Sequence, residues 1–141
     1  MIANERQYQV TRKKLAELSQ LKASVARGKA GDPGFRDLQR QALESQIADL
    51  RDEIVEYERL REGKTTTIEA TSLAGLADAL IKARIARGWT QADLARRLGV
   101  AGQQVQRDEA NRYSGAALSR LCDVAEALQI DVRETITLRA S

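Results

Sequence analysis

The stretch Gly88-Trp89-Thr90-Gln91-Ala92-Asp93-Leu94-Ala95-Arg96-Arg97-Leu98-Gly99-Val100-Ala101-Gly102-Gln103-Gln104-Val105-Gln106-Arg107-Asp108-Glu109-Ala110-Asn111 decides how this chain folds. Thr90 is a good helix N-cap, and Leu94, Ala95 and Leu98 recur on one face of the residues that follow it. Gly99 stops that helix after little more than two turns, because glycine takes the left-handed conformation that reverses the chain. After Val100 a second short helix is predicted over about residues 102–110, with Val105 turned inward. Two short helices around so tight a turn must cross closely. Ala95 is small where the crossing is closest, and Leu94, Leu98, Val100 and Val105 form the wedge that fixes the angle. The second helix then stands proud of the core.

Outward from this pair, Ser72 can cap a helix whose apolar residues are Leu73, Leu76, Ala77, Leu80, Ile81 and Ile85, with Gly88 as its end. A further helix is predicted over about 115–128, with Leu118, Leu121, Cys122, Ala125 and Leu128 on its apolar side. Beyond it Ile130, Val132, Ile136 and Leu138 share one parity, which is the pattern of a strand. Thr66, Ile68 and Ala70 alternate in the same way, so 64–71 reads as a linker or a short strand. A small two-stranded β element, 65–70 with 130–139, would close the C-terminal part.

The first 63 residues have a different pattern. Residues 4–27 carry Tyr8, Leu15, Leu18, Leu21 and Val25 as a narrow apolar stripe, ended by Gly28 and Gly31. Asp32-Pro33 starts a second helix, because Asp caps well and Pro suits the first helical position. It runs to about Glu62 before Gly63, about 45 Å at 1.5 Å per residue. Leu43, Ile47, Leu50, Ile54 and Tyr57 are spaced 4, 3, 4 and 3 along it, a coiled-coil seam. An antiparallel helical hairpin follows. Its stripe is too narrow to bury much surface alone, so these five residues are expected to be a dimerisation contact. The expected fold is mainly α: a hairpin over 1–63, a joining segment 64–71, and a helical bundle over 72–141.

Composition removes several functions. The chain has no His and one Cys, so neither an ordinary zinc site nor a His-dependent triad can be built, and no intrachain disulfide is available. No phosphate-cradling glycine motif occurs. The carboxylates are scattered on polar faces, so catalysis is not expected, nor is a cofactor. No run is long and apolar enough to span a membrane, and Met1-Ile2-Ala3-Asn4-Glu5-Arg6 lacks the apolar core of a secretory signal. A cytoplasmic location is the expectation. Net charge is +3, and its placement points to nucleic acid. Residues 82–112 hold seven basic and three acidic side chains, a net of +4, whereas 113–141 have a net of −1.

The quoted stretch closely resembles the Cro/C1-type (XRE-like) helix-turn-helix repressor domain. Thr90-Gln91, Leu94-Ala95, Leu98-Gly99-Val100, Val105 and Glu109 carry the resemblance, which covers roughly residues 73–130. It implies a DNA-binding transcription regulator whose second helix reads the major groove. Gln103 and Arg107 match base-reading positions, with Gln104 and Gln106 beside them on the same helix. Gln can pair with adenine and Arg with guanine. Gln91, at a helix N-terminus, matches a residue that approaches the DNA backbone. Arg87, Arg96, Arg97 and Arg112 are candidates for phosphate contacts. Arg84 and Glu109 match a partly buried structural ion pair. Trp89 and Tyr113 read as packing residues, and Cys122 as a buried, inert thiol.

The chain departs from the family pattern at several positions. Ala101 stands where Ser or Thr usually caps the recognition helix. Gly102 offers no side chain at a usual contact position. Asp108 puts an acid at a site that is usually apolar, and Asn111, which tolerates the left-handed conformation, replaces a Gly. Three roles are compatible with these features. The first is a repressor that binds double-stranded DNA as a homodimer. The second is an antitoxin that binds its operator and a toxin protein. The third is a scaffold that has lost DNA binding.

Overall fold

The computed structural model describes residues 1–28 and 31–141. Residues 29 and 30, inside the expected hairpin turn, lie outside the described residues. Six helices follow one another: α1 (Glu5–Arg27), α2 (Pro33–Arg61), α3 (Leu73–Ala86), α4 (Gln91–Leu98), α5 (Gly102–Ala110) and α6 (Leu118–Ala127). The chain divides into two compact units, Met1–Thr65 and Thr66–Ser141. No helix among the described residues is long and apolar enough to cross a membrane.

The first unit is α1 packed on α2. Asn4 caps α1 by accepting from the Gln7 amide, and Pro33 begins α2 without a side-chain cap from Asp32. The cross-helix pairs fix an antiparallel register. Arg61 binds Glu5 at 2.7 Å, Tyr8 stacks on Tyr57 with ring centroids 5.1 Å apart, and Lys22 lies 3.3 Å from Glu44. The Tyr8 hydroxyl also donates to the Glu58 carboxylate, and the Arg61 guanidinium lies over both tyrosine rings. At the N-terminus Ile2 and Ala3 are buried, and the α-amino group reaches Glu53 at 3.3 Å.

Within the single chain the α2 seam packs against α1. Ile47, Ile54 and Tyr57 are buried within the single chain, and Leu43 and Leu50 are half-buried. One narrow stripe meets another, and Leu43 and Leu50 keep part of the seam accessible. What the hairpin leaves exposed is Val10, Leu21, Phe35, Leu38 and Val55.

The second unit is a four-helix cluster around Leu80, Ile81, Leu94, Val105, Val124 and Leu128, each at most 1% exposed. Ser72 caps α3 by accepting from Gly75 N. Thr90 and Asp93 form a reciprocal capping box at the start of α4. Gly99, at φ +69°, closes α4: its N–H bonds the Arg96 carbonyl, and Val100 N–H bonds that of Ala95. This is the paired 5→2 and 6→1 arrangement that a left-handed residue makes available. Arg87, just past α3, donates to the carbonyls of Leu128 at 3.0 Å and Gln129 at 2.7 Å, which satisfies the open end of α6.

Three local expectations change. The inward side of α6 runs through Val124 and Leu128, whereas Leu118 is 72% exposed and Cys122 is also exposed. Leu118 opens the helix, ahead of the turn that reaches the core. Asn111 keeps a negative φ of −97°, and the left-handed residues are its successors Arg112 and Tyr113. Burial of the Tyr113 ring and a bond from its N–H to the Asp108 carbonyl hold that bend. Finally, neither 65–70 nor 130–139 is a strand, and the described residues contain no β element. Alternation marks a surface with two faces, but a strand also needs an adjoining ladder, and helices offer none.

Ile47→Ala and Ile54→Ala should each cost about 2–5 kcal/mol of hairpin stability, as deletions from a packed interior do. Thermal melts followed by circular dichroism will register this, and the oligomeric state should stay unchanged. A loss of dimer with no loss of stability would return the seam to the dimer contact.

Candidate nucleic-acid interface

A charged group buried among apolar side chains is stable only if it is paired and its hydrogen bonds are filled. Arg84 and Glu109 meet that condition. Their side chains are 3% and 1% exposed. Arg84 Nε donates to Glu109 Oε1 at 2.6 Å and Nη2 to Oε2 at 2.9 Å, a two-pronged fork. Arg84 Nη1 donates to the Trp89 carbonyl at 2.6 Å. Gln91 Nε2 donates to Glu109 Oε2 at 2.7 Å. One buried knot therefore joins α3, the turn after it, the start of α4 and the last turn of α5.

The knot also decides where Gln91 points. The expectation placed its amide on a DNA phosphate. The structure turns it inward, 8% exposed and bonded to Glu109. A carboxylate needs more donors than one arginine fork supplies in a dry site, and Gln91 is the neighbouring donor.

The polar side of α5 faces outward from this core. Gln103, Gln106 and Arg107 are exposed, and Gln104 is half-buried. Gln104 donates to Asp108 at 2.8 Å and accepts from Arg107 at 3.3 Å. Asp108 receives Arg120 of α6 at 3.0 Å as well. The acid at this position is thus hydrogen-bonded from two sides, and Arg120 alone offsets its charge. The Asp108 side chain braces α5 against α6. Burial pushes the Tyr113 phenol well above its ordinary range, with Glu109 and Asp108 acting in the same direction.

The N-terminus of α5 is open. Ala101 provides no side-chain cap, and a Cβ placed on Gly102 would meet nothing within 4 Å. The first N–H groups of this helix, beside exposed Gln103, are the positive end of its dipole.

Of the arginines assigned to phosphates, two lie side by side on α4. Arg97 stacks on the Trp89 ring, its guanidinium carbon 3.9 Å from the centroid, and Arg96 is paired with Asp93. Trp89, Asp93, Arg96 and Arg97 line one open surface pocket. The Thr90 amide, donating to the Asp93 carboxylate at 2.8 Å, holds that carboxyl below its ordinary range, with Arg96 adding to the effect. Arg112 is exposed and lies 3.5 Å from Asp78. Arg87 differs in that its Nε and Nη2 donate to the carbonyls of Leu128 and Gln129, although the residue stays exposed. Sequence reasoning missed Arg120, whose partner Asp108 lies twelve residues away on another helix. It also took Trp89 for plain packing, although the spacing from Trp89 to Arg97, two turns of helix, brackets the stacked pair.

A helix-turn-helix family model matches residues 80–134, less than half of the chain. No curated protein and no solved structure matches the chain.

Arg84→Ala should destabilise the second unit by about 3 kcal/mol or more, because it strands a buried carboxylate. Replacing both partners, Arg84→Met with Glu109→Leu, should be milder than either single change. Chemical denaturation of the three variants measures this, and equal stabilities for Arg84→Ala and the parent would refute the role given to the pair.

Proposed function

With residues 80–134 identified as an XRE-like helix-turn-helix domain of DNA-binding transcription regulators, we propose that this chain is a sequence-specific double-stranded DNA-binding repressor acting as a cytoplasmic homodimer. One observation carries the reading: the exposed face of α5, with Gln103, Gln106 and Arg107, stands clear of a core that the Arg84–Glu109 knot makes rigid. Recognition needs that rigidity. A side chain reads a base edge only if its backbone is fixed to within a fraction of an ångström relative to the groove.

In this reading α5 enters the major groove, about 12 Å wide, and its outward residues meet base edges. Gln103 and Gln106 suit adenine. Arg107 offers two parallel donors to the O6 and N7 of guanine. Gln104 is drawn toward Asp108, so its contribution is to hold Arg107 and the helix surface in place. Arg96, Arg97 and Arg112 supply phosphate contacts. Stacking on Trp89 restricts Arg97 to one arc and lowers the entropy lost when it grips a phosphate. The first N–H groups of α4 and α5 add neutral donors.

A homodimer follows from the arithmetic of readout. One domain of this size reads a few base pairs. Two, held by a symmetric contact, gain effective concentration and a longer, palindromic site with half-sites about 34 Å apart or a multiple of that. Repression is the simplest output, since a dimer seated on an operator blocks polymerase without any further surface.

Affinity for DNA should fall steeply with salt, by about 0.9 in log K per log unit of salt for each phosphate neutralised. Arg107→Ala should lose on the order of 1–3 kcal/mol on the preferred site and relax selectivity at one base pair. Arg97→Ala should weaken all sequences alike and lower the salt slope by about one. Selection from a random DNA pool, then titration of both variants on selected and random duplexes, tests all three. A flat salt response, or identical losses on both duplexes, would sink the proposal.

A further inference from the structure

The C-terminal tail leaves α6 with no secondary structure and with its apolar side chains in water. Val132 is 48% exposed, Ile136 88% and Leu138 89%. Its pattern has period two throughout: Ile130, Val132, Glu134, Ile136 and Leu138 on one parity, and Asp131, Arg133, Thr135, Thr137 and Arg139 on the other. Val, Ile and Thr dominate its middle, which favours extended backbone. A half-apolar strand with unpaired N–H and C=O groups is a template for another strand. We propose that residues 130–139 pair antiparallel with the same segment of a second copy of this chain, in a register centred on Thr135.

The charges choose both the occupant and the register. Two identical antiparallel strands related by a two-fold axis pair residues symmetrically about one position, and an apolar face survives only if partners share parity. Centring on Glu134 opposes two glutamates. Centring on Arg133 opposes two arginines, and centring on Ile136 sets Arg133 against Arg139. Centring on Thr137 leaves Val132 unpaired, and centring nearer α6 leaves Ile136 and Leu138 unpaired. Of the centres that keep Val132, Ile136 and Leu138 all paired, Thr135 alone avoids a like-charge pair. It sets Asp131 opposite Arg139 twice, Val132 opposite Leu138 twice, and Thr135 opposite itself. Cross-strand pairs of these kinds are the unit of sheet stabilisation. A foreign strand would not require the segment to complement its own reversal. A two-stranded ribbon is marginal alone. Here one face gathers Ile130, Val132, Ile136 and Leu138 from each copy, interrupted by Glu134 opposite the partner's Ile136, to be covered by the helical units that carry the strands.

This inference rests on the homodimer of the proposed function and not on its DNA target. The oligomeric state is therefore measured without DNA, and a failure here leaves the salt and Arg107 tests untouched. Sedimentation equilibrium of the full chain at micromolar concentration should give a dimer. Ile136→Lys with Leu138→Lys should give a monomer of unchanged helix content, because both side chains are at least 88% exposed in the single chain. Asp131→Arg and Arg139→Asp, made singly, should each raise the dimer Kd on the order of tenfold, and together they should restore it. In a Cys122→Ser background, Thr135→Cys should crosslink under mild oxidation and Thr137→Cys should not. A monomeric parent overturns the proposal. So does a dimer indifferent to the Ile136 and Leu138 changes, or a charge reversal that does not restore pairing.

Discussion

The buried fork between Arg84 and Glu109 is the constraint on which the rest of the second unit depends. A lone ion in that interior would be costly, so the two residues must stay together, and four segments of chain are held to whatever position satisfies both. Apolar packing of Leu80, Leu94 and Val105 brings the helices together but tolerates sliding. The fork, the Trp89 carbonyl and the Gln91 amide have directions, so they select one crossing geometry from those the packing would accept. That selection makes α5 a fixed platform rather than a loosely docked helix.

The two units spend their apolar surface differently. The hairpin buries one stripe between its own helices, adds the tyrosine stack and the Arg61 contacts at one end, and leaves scattered apolar residues such as Phe35, Leu38 and Val55 exposed. The second unit buries a compact centre, then ends in a tail whose apolar residues have no cover within one chain. Where a chain leaves such a debt is a better guide to assembly than where it shows the longest apolar stripe.

Helices were legible in the sequence because their signals are local. Ser72, Thr90 and Gly99 punctuate the chain by their own backbone and side-chain chemistry, and α4 and α5 lie where spacing put them. The exposed side of α5 could also be read, since periodicity separates Val105 from Gln103 and Arg107. Partner choice was less legible. A seam at coiled-coil spacing does not say whether it meets its own hairpin or another molecule, and only the register of Glu5 with Arg61 and Lys22 with Glu44 decides. The contacts of Gln91 and Arg87 within the chain were illegible for a related reason: a polar side chain goes to the strongest unmet demand nearby. Here those demands were a buried carboxylate and a frayed helix end, neither visible in one dimension.

Gly102 has a consequence for how such a protein changes over generations. It opens the outward helix with no side chain, and the space around its missing Cβ is empty. A mutation there meets no wall and disturbs no core contact, and most replacements would make the helix easier to form. New side chains can thus be tried beside Gln103 at little structural risk. The surface chemistry of the outward helix can change in one step at this position, while the fold beneath it is left undisturbed.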